Sequence, residues 1–199
     1  MPTFKQNMHQ LCKDDSGATL AEFGFVAPIF ITLVMGVLDV AHTQYTSSIV
    51  TGAMQRAGRD MSLENAASNL NALDQAVADI VQTVAPNATV DTIRLSHIDF
   101  SDIGQAEAFT DDNSDAICNN NEVFEDVNGN GTWDTDRGST GIGGARDAVV
   151  FSATVSYPRL FPMAGLIGLP ERVQVEAATV LRNQPFDNQN ITITTGNCT

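Results

Sequence analysis

The side chains with the clearest capacity for chemistry lie in an acidic segment between Asp99 and Asp136. Of the 24 acidic residues in the chain, eleven fall in this segment, which contains no Lys or Arg. Carboxylate and amide oxygens are the ligands that hard divalent cations such as Ca²⁺ prefer. The composition therefore leaves two alternatives, a cation-binding loop or a solvated acidic turn rich in Asn-Gly pairs.

Within this segment, side-chain oxygens recur at every second position from Asp126 onward. Gly131 stands sixth in that stretch, where an EF-hand loop makes its sharp turn. The corresponding ligands are four side chains and one backbone carbonyl, those of Asp126, Asn128, Asn130, Asp134 and, through its carbonyl, Thr132. The twelfth position holds Arg137 in place of a bidentate Glu, so one ligand is missing unless Asp136 supplies it. The alternative of a solvated acidic turn stays open, and for a calcium loop this spacing predicts an affinity of the millimolar class.

Residue types that carry catalysis are scattered along the chain. His9, His42 and His97 belong to three different predicted segments, so no dyad or triad can be drawn. The glycine-rich run 141–144 follows a loop and precedes a strand, which is the reverse of a phosphate-binding context. The three cysteines include no Cys-x-x-Cys pair. We expect no enzymatic activity and no cofactor apart from the calcium considered above.

The longest apolar stretch of the chain precedes these residues. No charged residue lies between Phe23 and Leu38, and the weakly polar flanks extend the stretch over 18–41. About 20 residues at 1.5 Å each cross the ~30 Å hydrocarbon layer, so this segment is long enough for a membrane span. A buried core helix is disfavoured because the segment is apolar on all sides. A signal peptide is disfavoured because 41–43 is a poor cleavage pattern.

The charge distribution predicts an orientation for this span. Both lysines of the chain, Lys5 and Lys13, precede it, and the acidic bulk follows it. Basic flanks usually stay in the cytoplasm, so the N-terminus is predicted there and the acidic part outside. Thiols oxidise outside the cytoplasm. Cys118 and Cys198 are therefore predicted to form a disulfide that joins the acidic loop to the C-terminal tail, with two separate thiols as the alternative.

The residues just before the span carry a cleavage signal. Gly17 is followed by Ala18 and then, four positions later, by the pair Glu22-Phe23. This arrangement resembles the processing site of type IV prepilin-like proteins, in which a peptidase cuts after a Gly at the cytoplasmic face. The Glu is then the fifth residue of the mature chain. The resemblance therefore implies a leader over 1–17 and a mature N-terminus at Ala18.

A wider pattern is carried by Gly17, Glu22, Pro28, Gly36 and Asp39. It resembles the TadE-like minor pilins of tight-adherence (Flp-type) pili. The resemblance implies a minor pilin-like protein of the bacterial inner membrane that takes part in assembly or priming of the pilus, and so in surface attachment. It would cross the membrane once, with its N-terminus cytoplasmic and its C-terminal domain in the periplasm or on the pilus. The implied partners are the lipid bilayer, other pilin subunits, the pilus assembly machinery and the prepilin peptidase.

Glu22 and Asp39 are the two carboxylates of the predicted span. A carboxylate in the first turn of a membrane helix is costly to bury. The resemblance implies that Glu22 pairs with the free α-amine of a neighbouring subunit, which offsets two desolvation penalties with one contact. The simpler alternative is an interfacial Glu that is favoured modestly by the helix dipole. Asp39, at the outer interface, is interpreted as a solvated helix end.

The head predicted over 42–199 starts with helical segments. Five apolar residues lie on one helical face, Ile49, Val50, Ala53, Met54 and Ala57. A break is predicted over 58–62. A second seam then repeats at steps of three and four from Leu63 to Val84, with Ser62 as its cap and Pro86 at its end.

The second half of the head is predicted as sheet. Strict alternation of apolar residues predicts strands over 149–157 and 173–181, and a weaker strand covers 90–98. Together these elements predict an α+β fold in which a single N-terminal transmembrane helix extends into a small antiparallel sheet with a packed helix, the general layout of pilin-like subunits. The acidic loop 99–144 lies within this head.

Two further features bear on partners. The formal net charge of −14 excludes nucleic acid as a partner, because its phosphates would be repelled. The segment 158–170 is far more apolar than a solvent loop. It either contacts a partner or the membrane surface, or folds back onto the core. The competing hypothesis for the whole protein is an uncleaved, membrane-anchored periplasmic module that binds calcium through its acidic loop.

Overall fold

The computed structural model describes residues 16–63, 68–161, 165, 168–185, 187–189 and 191–199. The predicted leader residues 1–15, with Lys5, His9, Cys12 and Lys13, lie outside this set. The chain divides into two compact units. The first comprises Met1–His42 and Arg159–Glu171, and the second comprises Thr43–Pro158 and Arg172–Thr199.

The described residues form two α-helices and six strands. The helices are α1 (Ser16–Met61) and α2 (Leu70–Gln82). The strands are β1 (Thr89–His97), β2 (Val123–Asp126), β3 (Ser139–Thr140), β4 (Ala148–Pro158), β5 (Arg172–Arg182) and β6 (Thr194–Asn197). A long apolar N-terminal helix followed by antiparallel sheets and a second helix confirms the predicted α+β class.

The N-terminal half of α1 is apolar and exposed on all sides. Phe25 is 81% exposed, and Leu20 and Ile29 are each 72% exposed. Among the described residues, Thr19–Met61 is the one helix long and apolar enough to cross a membrane. Pro28 lies inside this half, and the Thr32 hydroxyl donates to the Pro28 carbonyl at 2.8 Å. The predicted apolar span is therefore present as a continuous helix.

The C-terminal half of α1 buries one face in the core of the second unit. Its buried residues follow helical spacing and include Thr46, Val50, Ala53, Met54, Ala57 and Met61. The predicted break at 58–62 is wrong at its start, because the helix continues to Met61. A Cβ added at Gly58 would lie 3.0 Å from Thr179 Cγ2. Gly58 therefore lets the helix approach β5 closely and does not end it.

The second helix starts later and ends earlier than its apolar seam predicts. It spans Leu70–Gln82, and part of the seam before it, 64–67, lies outside the described residues. Ser62 does not cap it, because the Ser62 hydroxyl donates to the Arg59 carbonyl at the end of α1. The cap residue is Asn69, and it makes no side-chain capping bond. Val77 and Val81 are the buried residues of α2.

The main sheet is antiparallel with the order β3-β1-β4-β5. Its centre is β4, in which the alternating residues Val149, Phe151, Ala153, Val155 and Tyr157 are almost fully buried. The predicted strands are confirmed within about one residue at each end. The buried face of β4 meets α1 and α2 in one hydrophobic cluster. Burial of this face at about 25 cal/mol per Å² supplies the main stabilisation of the head.

A second, two-stranded sheet pairs β2 with β6 and lies at the base of the acidic segment. Sequence alternation did not indicate it, because both strands have only four residues. The structure contains the predicted disulfide between Cys118 and Cys198, with Cα atoms 5.2 Å apart. The Cys198 N–H also donates to the Glu122 carbonyl at 2.8 Å. The C-terminal strand thus holds the acidic segment in place.

Candidate functional site

The predicted processing site lies at the start of α1. Gly17, Ala18, Glu22 and Phe23 all belong to this helix, which begins at Ser16. Glu22 is therefore in the second turn of the helix as it stands, and a new N-terminus at Ala18 would bring it closer to the helix end. Gly17 and Glu22 are exposed, and Phe23 is 67% exposed. Apart from its chain neighbours and the backbone of its own helix, no described atom lies within 4 Å of a Cβ added at Gly17.

Asp39, at the other end of the apolar stretch, is not a solvated helix end. Its carboxylate forms an ion pair with Arg159, and both side chains are only 16% exposed. Arg159 also donates from Nε to the Pro170 carbonyl at 2.8 Å. All three residues belong to the first unit. The sequence did not indicate this pair because its members are 120 positions apart.

The loop that starts at Asp126 is held by its own hydrogen bonds. The two Asp126 carboxylate oxygens accept from the backbone N–H groups of Asn130 at 3.0 Å and Gly131 at 2.9 Å. The Asn128 side-chain oxygen, Oδ1, accepts from the same Asn130 N–H at 3.0 Å. The Asn130 side-chain oxygen accepts from the Thr132 N–H at 2.7 Å. These bonds form the tight turn that the spacing predicted, with Gly131 at a φ of 79°.

Asp134 lies in the same loop, and Asp136 is turned away from it. One Asp134 oxygen accepts from the side-chain amides of Asn128 at 2.9 Å and Asn130 at 2.6 Å. Asp136 instead contacts His97 Nε2 at 2.7 Å and accepts from the Gly138 N–H at 3.0 Å. Asp136 nevertheless lines the same cleft as Asn128, Asn130 and Asp134.

A residue that the sequence did not single out, Glu107, occupies the base of this loop. Its side chain is 2% exposed. One oxygen accepts from the Val127 N–H at 2.8 Å, and the other accepts from the Asp134 N–H at 3.1 Å. The Glu107 carbonyl accepts from Trp133 Nε1 at 2.8 Å. Glu107 precedes Asp126, the first position of the loop, by 19 residues. The spacing within the loop therefore could not indicate this buried carboxylate.

A second loop with the same spacing was also missed. Oxygen side chains occupy its first, third, fifth, ninth and twelfth positions, at Asp111, Asn113, Asp115, Asn119 and Glu122. Ala116 stands at the sixth position in place of Gly and has a φ of 60°. The Asp111 carboxylate accepts from the N–H groups of Asp115 at 3.1 Å and Ala116 at 2.9 Å. The oxygen side chains at these five positions could have indicated the second loop. It was missed because Ala116 stands where the EF-hand pattern requires Gly.

Glu122 closes this second loop as a buried carboxylate. Its side chain is 3% exposed, and its two oxygens accept from the Asp112 N–H at 2.9 Å and the Asn119 N–H at 3.1 Å. The exposed Asp115 carboxylate accepts mainly from the Asn119 side-chain amide and then from the Ile117 N–H. These bonds favour the ionised form and lower the pKa of Asp115 below its ordinary value.

Both loops contain buried carboxylates that form no ion pair among the described residues. Glu107, Glu122 and Asp126 are each 5% exposed or less. None of the ion pairs found in the described ranges involves these three side chains. Backbone N–H groups stabilise these carboxylates, and no basic side chain of the described residues forms an ion pair with them. Buried charges are usually paired with a counter-charge or bound to a metal.

The described side chains of these loops nevertheless do not form a complete set of metal ligands. Within the part of the chain that the structure describes, no three His, Cys, Asp or Glu side chains converge in a way that could hold a metal ion. In the Asp126 loop, the Asn128 and Asn130 side chains point their N–H groups at Asp134. A cation there would require both amides to turn their oxygens inward. A cleft of about 460 Å³ beside these residues gives solvent access to them.

Comparison with known proteins identifies the N-terminal segment. The family model of the TadE-like proteins matches residues 17–59. The match begins at Gly17 and covers all of α1 except Ser16 at its start and the last two residues at its end. It confirms the resemblance drawn from the sequence. Residues 60–199, which include the acidic loops, lie outside it. No curated protein and no solved structure matches the chain.

Proposed function

We propose that this protein is a membrane-anchored, minor pilin-like component of a tight-adherence pilus that takes part in pilus assembly or priming. The observation that carries the proposal is the TadE-like match over 17–59, which includes Gly17, Glu22 and the apolar half of α1. The exposed apolar surface of that half supports a membrane location, because exposed Phe, Leu and Ile side chains are stable in lipid and unfavourable in water. Its partners are other pilin subunits and the assembly machinery.

The proposed processing step is cleavage by a prepilin peptidase after Gly17. Gly17 lies in the first turn of α1, where the backbone N–H groups have no partner within the helix and the turn opens easily. Nothing in the structure crowds this residue. The peptidase would therefore meet an accessible bond with little helix to unwind.

The proposed role of Glu22 is to pair with the α-amine of Ala18 in a neighbouring subunit. Glu22 is an exposed carboxylate on a helix whose neighbouring side chains, Phe23, Phe25 and Val26, are apolar and exposed. In a bilayer such a carboxylate is unfavourable unless it finds a cation. The free α-amine created by cleavage is a cation of suitable position, so processing and assembly become linked.

The test of processing uses the full chain expressed with its pilus system. Mass spectrometry of the wild-type protein should show Ala18 as the N-terminal residue. Gly17→Val should abolish cleavage, because a β-branched side chain then flanks the scissile bond. Gly24→Val is the matched control, since Gly24 is an equally uncrowded glycine of the same helix, and it should leave cleavage unchanged. An intact Met1 in the wild-type protein would overturn the proposal.

The test of assembly separates Glu22 from processing. Glu22→Gln keeps the shape of the side chain and removes its charge. We expect normal cleavage, together with loss of co-purification with the other pilin subunits and loss of pili on the cell surface. Normal piliation in this variant would contradict the role of Glu22 and leave the processing result standing.

A second candidate function is calcium binding by the two acidic loops. It is favoured by the burial of Glu107, Glu122 and Asp126 without a basic partner, because a cation would offset that charge. Full-length protein should then melt at a higher temperature in millimolar calcium than in chelator, since the ion binds only the folded state. Glu122→Gln should reduce this shift, and Glu125→Gln, an exposed neighbour on β2, should not. Identical melting curves in calcium and in chelator would end this candidate.

A further inference from the structure

The segment between β4 and β5 is tied to the end of the apolar half of α1. Arg159, at its start, donates its backbone N–H to the Glu171 carbonyl at 3.0 Å and its Nε to the Pro170 carbonyl at 2.8 Å. These bonds close the segment into a loop with a narrow stem. The Arg159 guanidinium pairs with Asp39 of α1, so the stem is fixed at the residue that follows the apolar stretch.

Two leucines next to the stem are exposed, whereas Phe161 is half-buried. Leu160 is 55% exposed and Leu169 is 46% exposed. Between Pro158 and Pro170 the sequence contains a single charged residue, Arg159. Its charge is balanced by Asp39. The described leucines therefore present apolar surface beside a charge pair that is neutral overall, which is typical of a contact surface and not of a loop in water.

The position of Asp39 along α1 gives the depth of this loop. Asp39 follows Glu22 by 17 residues, which corresponds to about 25 Å along a helix axis at 1.5 Å per residue. The apolar residues between them match the ~30 Å hydrocarbon layer, so the two carboxylates fall near its two boundaries. With Glu22 at one boundary, Asp39 and the attached loop stem lie at the other.

We propose that the loop 159–170 is a second, interfacial membrane anchor, which inserts Leu160 and Leu169 into the outer leaflet of the bilayer that holds α1. This inference rests on the proposed membrane location of α1. Lipid is the occupant because the stem is joined to the end of the span, so the apolar side chains reach the bilayer whenever the helix is inserted. The Arg159–Asp39 pair lets both charges enter this region together, which avoids desolvating either charge alone.

The test places a polarity-sensitive fluorophore on single cysteines of the full chain. The protein carries Cys12→Ser, so that the disulfide-bonded Cys118 and Cys198 leave no other thiol to label. Leu160→Cys and, independently, Leu169→Cys report on the loop. Phe30→Cys, near the midpoint between Glu22 and Asp39, reports on the span, and Ser101→Cys, an exposed polar site, reports on solvent. Each labelled protein is reconstituted in vesicles of phosphatidylethanolamine and phosphatidylglycerol with and without nitroxide-labelled lipids.

We expect a blue shift for both loop probes and quenching by nitroxides near the headgroups. The probe at position 30 should be quenched by deep nitroxides, and the Ser101 probe by neither kind. Quenching at position 30 without quenching at 160 and 169 would overturn the anchor and leave the span intact. Absence of quenching at all sites would overturn the span as well. A blue shift at 160 that depends on protein-to-lipid ratio and not on nitroxide lipid would assign the surface to a neighbouring subunit, which also contradicts the proposal.

Discussion

The disulfide between Cys118 and Cys198 allows a stability prediction of definite size. It closes a loop with a sequence separation of 80 residues. Chain-entropy theory assigns to a loop of this length a stabilisation of about 4.5 kcal/mol at 25 °C, because the crosslink restricts the unfolded chain. For a domain of this size each kcal/mol changes the melting temperature by roughly 2–4 °C. Removal of the bond should therefore lower the melting temperature by roughly 9–18 °C.

The experiment compares the full-length wild-type protein in detergent with the double variant Cys118→Ala and Cys198→Ala by circular dichroism. The single variant Cys118→Ala should show the same shift as the double variant, since either change breaks the same bond. Cys12→Ser leaves the bond intact and should have no effect. A shift below about 3 °C in the double variant would refute the entropic reasoning. It would mean that the unfolded chain without the bond retains enough structure to keep the acidic segment near the C-terminal tail, so that the crosslink removes little additional entropy.

Two further predictions follow from single residues. Gly58→Val should destabilise the head by about 1–3 kcal/mol, because the new side chain meets Thr179. Gly52→Ala, on the open face of the same helix, should stabilise the head by about 0.5–1 kcal/mol, because Ala favours the helix more than Gly does. Thermal melting measures both changes. The lowered pKa of Asp115 means that its stabilisation is complete above the unfolded pKa and is lost as the pH falls through the folded value. Melting temperatures measured downward from about pH 4 should therefore fall less steeply in Asp115→Asn than in the wild type, and equal slopes would contradict the assignment.

Much of the fold was predictable because it depends on local periodicity. The strands β4 and β5 are long, and alternate side chains along them face the same core, so their pattern is visible in the sequence. The apolar stretch of α1 was visible because its apolar residues are consecutive in the sequence. The short strands β2 and β6 were not, because four residues contain too few alternations to distinguish a strand from a loop.

The candidate sites were predictable only in part. The Asp126 loop follows from spacing because its members are neighbours in the chain. Glu107 enters that loop from outside it, and Asp136 leaves it for His97 on β1. Both outcomes depend on how the acidic segment folds over β1 and β2. No pattern within the loop itself contains that information.

The sequence by itself determined the apolar N-terminal helix, the cleavage-like pattern around Gly17, the two principal strands and the excess of acidic residues, since each is a property of adjacent residues. Only the tertiary structure decided which distant residues meet. It paired Asp39 with Arg159, brought Glu107 to the Asp126 loop and showed that Gly58 is a packing residue. The physical reason is that local propensities act over a few residues, whereas charge pairing and close packing depend on contacts that form only when the chain has folded.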